Sequence, residues 1–131
     1  MAGELTVAGG NDLVTAISNT NLGDIIKPLT QEIHLFDTNI AGTTYLKDKT
    51  VLEEIQVGNR LNLRREDNKF DRNAILVLTE DGRKVGYVPE KDNLIFSRLM
   101  DAGKLLIARI TKVTPHSGYT QISIGIFLVD F

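Results

Sequence analysis

The residues best suited to chemistry lie in one polar loop and in the strand-like segment that precedes it. The loop holds Asn68, Phe70 and Asp71, and the segment before it holds Arg64 and Arg65. An arginine can bind a phosphate through two parallel hydrogen bonds, and an aromatic ring can stack on a nucleic-acid base. A carboxylate repels phosphate but accepts a hydrogen bond from a sugar hydroxyl. These residue types together could distinguish a hydroxyl-terminated strand end from continuous backbone.

The same loop also has a purely structural interpretation. Asn and Asp side chains tie turns between strands through Asx hydrogen bonds, and Phe70 would then plug one end of a barrel. A calcium loop of the EF-hand type is excluded, because Lys69, Arg72 and Leu78 occupy its third, sixth and twelfth positions. We predict no metal site. A metal-dependent nuclease is the remaining and less favoured alternative, and its candidate carboxylates are Asp67, Asp71 and Asp81.

Nucleophilic catalysis finds little support in the sequence. The chain has no cysteine, and neither His34 nor His116 lies in a Ser/His/Asp pattern. The glycines near the N-terminus are not followed by the Gly-Lys-Ser/Thr of a phosphate-binding loop. We therefore expect a binding protein without catalytic residues or a cofactor, rather than an enzyme.

Composition and charge narrow the class of protein further. The 131 residues correspond to about one domain, and the net charge is −2. That charge argues against coating of nucleic acid or of an anionic membrane, so any nucleic-acid binding needs a local pocket. The charge is also uneven, because residues 1–40 hold five acidic side chains and one basic one. Residues 41–131 hold twelve acidic and fourteen basic side chains.

The sequence also bears on location. No apolar run is long enough to cross a bilayer, and no signal-peptide pattern opens the chain. We expect a cytoplasmic protein with no membrane partner.

Hydrophobic periodicity and turn signals indicate a mainly β domain. Arg60–Arg65 alternates polar and apolar residues, which predicts a half-buried strand with a basic outer face. Asp81-Gly82 is typical of a hairpin turn, and Lys91–Ala102 has helical spacing. The other predicted strands are Ile33–Thr38, Ala74–Thr79, Lys84–Pro89, Leu105–Ile110 and Gln121–Phe127, with a short helix over Val51–Ile55 and a loop over Pro115–Gly118.

Several short strands and one strong helix predict a mainly β fold with short helices, curled into a small barrel. We assign residues 31–131 to this domain and residues 1–30 to an N-terminal extension. The extension is predicted to contain a loose tail and two short helical pieces, and it packs either on the domain or on a second subunit.

Three motifs resemble those of the HIRAN domain family, which occurs in fork-remodelling ATPases and as a small stand-alone bacterial protein. They are Asn39–Tyr45, Leu61–Ile75 with its Asn68-Lys69-Phe70-Asp71 segment, and Val85-Gly86-Tyr87-Val88-Pro89 after Gly82. The resemblance implies an OB-like β-barrel that binds single-stranded DNA and captures its free 3′-hydroxyl end. It covers the stretch from about Ile33 to Ile110 and leaves the N-terminal extension unexplained.

The resemblance also implies roles for individual residues. Tyr45 and Phe70 would stack on terminal bases, and Asp71 would accept a hydrogen bond from the terminal hydroxyl. Asn68 would hold sugar, phosphate or loop backbone, and Tyr87 matches a position beside the pocket. Tyr119, in the final hairpin, is a further candidate for stacking.

The chain departs from the DNA-end-binding members of the family at three positions, Thr44, Leu46 and Glu90. Those members have Arg-Tyr-Tyr where this chain has Thr44-Tyr45-Leu46, and Glu90 replaces a lysine. The loss of two cations predicts weaker phosphate binding, for which Arg64 or Arg65 compensates if its side chain points into the groove.

Two functional hypotheses follow. The first is a module that binds single-stranded DNA 3′ ends in repair or fork processing, alongside a helicase or nuclease partner. The alternative is a non-catalytic protein-interaction or regulatory adaptor that has lost strong DNA binding. In the adaptor, the acidic residues 1–40 pack on a partner or on a second copy of the chain.

Overall fold

A computed structural model describes residues 31–130, and the predicted helical pieces of the N-terminal extension lie outside them. Six strands and two short α-helices follow one another in this range. The strands are β1 (Gln31–Asn39), β2 (Arg60–Arg65), β3 (Ile75–Leu78), β4 (Lys84–Tyr87), β5 (Leu106–His116) and β6 (Tyr119–Asp130). The α-helices are α1 (Val51–Glu54) and α2 (Asn93–Asp101), and Thr43–Tyr45 forms one turn of 3₁₀ helix. The mainly β prediction is confirmed, whereas the 3₁₀ turn was not predicted.

The strands form one antiparallel sheet in the order β1-β6-β5-β2-β3-β4. The sheet is not closed by a continuous ladder, but one isolated bridge joins its two edges. Ala41, just after β1, donates its N–H to the Tyr87 carbonyl at 2.8 Å and accepts from the Tyr87 N–H at 2.9 Å. The chain is thereby curled so that the segment after β1 lies beside β4.

The interior of the curled sheet is filled by alternate residues of the strands. Leu61 and Leu63 of β2 are buried. Arg64, which follows Leu63 in the same strand, is exposed, as the alternation predicts. Phe96 of α2 packs into the same core. The fully buried centre consists of Leu61, Ile75, Leu106, Ile110, Ile122, Ile124, Ile126, Val51, Val77 and Val85.

The prediction of a loop at Pro115–Gly118 is wrong. Strand β5 continues through Pro115 and His116, which pair with Thr120 and Tyr119, so only two residues form the turn. Gly118 supplies its positive φ of 84°. Backbone pairing of β5 with β2 and the residues before it ends at Ile110, and the edge of β5 beyond that residue tolerates a proline, which cannot donate a hydrogen bond.

No helix among residues 31–130 has the length and apolarity required to cross a membrane.

An ion pair across the sheet predicts an acid-sensitive component of stability. Glu32 of β1 accepts hydrogen bonds from the Arg109 guanidinium at 2.6 and 2.7 Å, and this contact lowers the pKa of the Glu32 carboxyl. A lowered carboxyl pKa means that the stabilisation is complete above the unfolded pKa of about 4.3 and is lost as the pH falls through the folded value. Because both side chains are about one-third exposed, we expect at most about 1 kcal/mol.

Thermal unfolding between pH 7 and pH 3 measures this component. At pH 7, Glu32→Gln should have a lower melting temperature than the wild type. Its melting temperature should then fall by a smaller amount between pH 7 and pH 3. The control Glu53→Gln, at an exposed position of α1, should follow the wild-type acid profile. Parallel profiles for Glu32→Gln and the wild type would contradict the assignment.

Candidate nucleic-acid site

The loop between β2 and β3 is held by its own Asn and Asp side chains. Asn68 accepts a hydrogen bond from the Phe70 N–H at 2.8 Å, and Asp71 accepts one from the Asn73 N–H at 2.9 Å. These are Asx turns, so the structural interpretation of the loop is confirmed for its backbone. It fails for Phe70, because that ring is 85% exposed and plugs nothing.

A helix distant in the sequence orients the Asp71 carboxylate. Asn93, the first residue of α2, is buried and donates from Nδ2 to Asp71 Oδ2 at 2.8 Å. The other carboxylate oxygen, Oδ1, accepts the hydrogen bond from the Asn73 N–H, so the orientation of the whole carboxylate is fixed. Each oxygen still has a lone pair for a further donor. The sequence contained no signal for Asn93 beyond its place at the start of a predicted helix.

A second group of side-chain hydrogen bonds fixes Tyr87 of β4. Its hydroxyl donates to the Glu66 carboxylate at 2.7 Å, and Asn68 Nδ2 donates to the same carboxylate at 3.2 Å. Lys84 Nζ lies 3.2 Å from the Tyr87 oxygen and 4.5 Å from the ring centroid, a cation–π distance. Glu66 therefore links Tyr87 to the loop. The sequence analysis did not single out Glu66 or Lys84.

Three of the predicted site residues, Asn68, Asp71 and Tyr87, share one cavity of about 240 Å³. The cavity lies beside the bridge between Ala41 and Tyr87, so the curling of the sheet creates it. Its other lining residues are Ala41, Gly42, Ala74, Val88 and Glu90. The charged side chains of this terminal cavity, as we call it, are two carboxylates, and no lysine or arginine among the described residues lines it.

The exposed aromatic side chains lie outside the terminal cavity. Tyr45 is 89% exposed and lines a second cavity of about 400 Å³. Thr44 and Tyr119 line a third cavity of about 300 Å³, where the Tyr119 ring stacks on His116 with 4.7 Å between centroids. The 3₁₀ turn and the glycine before it contribute to all three cavities, because Gly42 lines the first, Tyr45 the second and Thr44 the third.

The two predicted arginines differ in what they can bind. Arg65 donates to the Asp101 carboxylate at 2.9 Å and to the carbonyls of Arg72 and Ala74, so its guanidinium supports the loop and α2. These contacts occupy the donors that a phosphate would need. Arg64 is exposed and forms no ion pair with any other residue of the described range.

A surface ion-pair network supports the wall of the second cavity. Arg83 donates to Glu54 of α1 at 2.8 Å and to Asp81 of the hairpin turn at 3.2 Å. The guanidinium hydrogen bond is the main cause of the lowered pKa of Glu54. The pKa of Asp81 is lowered first by the Thr79 hydroxyl and then by Arg83. Arg83 thereby joins the β3–β4 hairpin to α1.

Within residues 31–130, no three His, Asp or Glu side chains are grouped closely enough to hold a metal ion.

Comparison with known proteins identifies the family. The HIRAN domain family matches residues 33–129. A protein from Lactobacillus plantarum of known crystal structure superimposes with a TM-score of 0.72 at 26% identity, over 78% of this chain and 99% of that chain. The HIRAN domain of human HLTF superimposes with a TM-score of 0.61 at 15% identity, over 77% of this chain and 79% of that chain.

No curated protein sequence matches the chain. The family match nevertheless begins within β1, ends within β6 and includes every residue of the terminal cavity. The predicted family and its OB-like fold are confirmed. The chain therefore belongs to the HIRAN domain family, a family known for nucleic-acid binding.

Proposed function

We propose that this HIRAN domain is a non-catalytic module that binds single-stranded DNA at a free 3′-hydroxyl end. The observation that carries the proposal is the Asp71 carboxylate, which Asn73 and Asn93 hold in a cavity shared with Asn68 and Tyr87. This carboxylate can accept a hydrogen bond from a terminal sugar hydroxyl.

The charge of the terminal cavity supports a hydroxyl rather than a phosphate at the strand end. Asp71 and Glu90 both line the cavity, and a 3′-phosphate would add about two negative charges beside their carboxylates. Outside the cavity, the rings of Tyr45 and Phe70 are almost fully exposed and offer faces on which bases stack.

Fluorescence anisotropy at low salt tests the proposal with one oligonucleotide sequence ending in a 3′-hydroxyl or a 3′-phosphate. We expect the hydroxyl end to bind at least about tenfold more tightly, a difference of about 1.4 kcal/mol. A 5′-phosphate should leave affinity nearly unchanged. Asp71→Asn, which removes the charge and keeps the shape, should reduce the discrimination between the two 3′ ends.

Equal affinity for the two 3′ ends would remove end recognition from the proposal. Absence of binding to either oligonucleotide would remove DNA binding altogether.

A second candidate function, the interaction adaptor, is favoured by the exposed apolar side chains of β1. Ile33, Leu35 and Phe36 are 36–41% exposed on a strand at the edge of the described sheet. Such a strand can pair with another chain. The adaptor predicts a dimer or complex by light scattering together with little affinity for oligonucleotides.

A further inference from the structure

The terminal cavity leaves one part of a bound strand end without a partner. A 3′-terminal nucleotide carries a negatively charged phosphate on its 5′ side, where it joins the preceding nucleotide. The carboxylates of Asp71 and Glu90 repel that phosphate, and no described cation lines the cavity to offset them. If the sugar hydroxyl meets Asp71, the phosphate must lie outside the cavity and near another positive charge.

Lys84 provides a positive charge beside Tyr87, one of the residues that line the terminal cavity. Its ammonium lies over the ring of Tyr87, 4.5 Å from the centroid. The contact with the Tyr87 hydroxyl at 3.2 Å further limits its position. Since an ammonium has three donors and Tyr87 accepts one, two remain for a phosphate.

The same side chain also lines the second cavity, together with Tyr45 and Lys47. Lys84 is therefore placed between the cavity suited to the last nucleotide and the ring suited to the base before it. The second cavity is also lined by Arg83, but the guanidinium of Arg83 is paired with the carboxylates of Glu54 and Asp81. Neither Lys47 nor Lys84 forms an ion pair within the described part of the chain.

We propose that Lys84 is the phosphate-binding residue of this site and contacts the linkage between the last two nucleotides, with Lys47 following the strand along the second cavity. The proposal rests on the function proposed above, since it assumes that the strand end occupies the terminal cavity. It explains how a site that holds Thr44 and Glu90 in place of two cations still binds a polyanion.

The salt dependence of binding tests the contact. Lys84→Met keeps an aliphatic stem over Tyr87 and removes the charge, and Lys104→Met is the matched control on an exposed residue that lines none of the three cavities. For single-stranded DNA, each phosphate contact contributes about 0.7 to the slope of log affinity against log salt. We expect Lys84→Met to reduce the slope by about that amount, with affinity falling about three- to tenfold at low salt. Lys84→Arg should restore the slope, and Lys104→Met should match the wild type.

A neutral linkage locates the contact on the DNA. Replacing the last internucleotide phosphate with a methylphosphonate should weaken wild-type binding and leave Lys84→Met binding unchanged. The same replacement five linkages upstream should affect both proteins equally. Melting temperatures of all variants show whether the fold is retained.

The outcomes separate this inference from the proposed function. If the wild type prefers the 3′-hydroxyl end but the Lys84→Met slope is unchanged, the lysine contact is refuted and end binding stands. The same conclusion follows if the terminal methylphosphonate weakens both proteins equally. If the wild type binds neither 3′ end, both proposals are refuted.

Discussion

The variant Gly86→Ala is expected to lose about 3 kcal/mol of unfolding free energy. A Cβ on Gly86 would lie 2.4 Å from the Ala41 carbonyl oxygen and 2.5 Å from Ile40 Cγ2. The oxygen cannot move away cheaply, because it accepts the Tyr87 N–H at 2.9 Å. The substitution therefore forces the bridge between Ala41 and Tyr87 apart.

Breaking this bridge would damage the site as well as the fold. Ala41, Gly42 and Tyr87 line the terminal cavity, so their separation opens it. We expect weaker binding to 3′-hydroxyl DNA under conditions where Gly86→Ala is still folded. Urea denaturation followed by circular dichroism measures the stability, and anisotropy measures the binding.

Gly82→Ala is the matched control for the loss of a glycine. Gly82 has a φ of 91°, and a Cβ there meets no atom within 4 Å. Gly82→Ala should lower the unfolding free energy by only about 1 kcal/mol, the strain of a left-handed backbone conformation, and should leave binding unchanged. A Gly86→Ala variant as stable as Gly82→Ala would show that the contact at the bridge is not tight.

The variant Phe70→Ala is expected to weaken binding to single-stranded DNA by about 1–3 kcal/mol, the range measured for base–aromatic stacking. Its melting temperature should remain close to that of the wild type. The ring is 85% exposed, so its removal opens no cavity in the core. Lys69 Nζ lies 5.2 Å from the ring centroid and would retain its charge in the variant.

Ile95→Ala serves as the control for this experiment. Ile95 is also an exposed apolar residue, at 67%, and lies on α2 away from the cavities described above. It should change neither affinity nor melting temperature by much. If Phe70→Ala lowers only the melting temperature, Phe70 is a structural residue and the stacking role is wrong.

The sequence determined the local structure around the site. The alternation in Arg60–Arg65 predicts β2, and its buried Leu61 and Leu63 confirm which face is inside. The Asn and Asp residues of the loop predict Asx turns, which the hydrogen bonds of Asn68 and Asp71 form. These features are readable because each hydrogen bond or alternation involves residues a few positions apart. The HIRAN motifs are local in the same sense, and they identified the family.

Only the tertiary structure decided which of these side chains share a cavity. Asp71 is oriented by Asn93, and Arg65 is occupied by Asp101, partners that lie 22 and 36 positions away. The terminal cavity beside Tyr87 exists because the sheet curls until Ala41 meets that residue. Such contacts depend on strand order and on the packing of α2, which no short sequence window contains. The residue types required to bind a strand end are thus written in the sequence, whereas their convergence on one cavity results from long-range pairing.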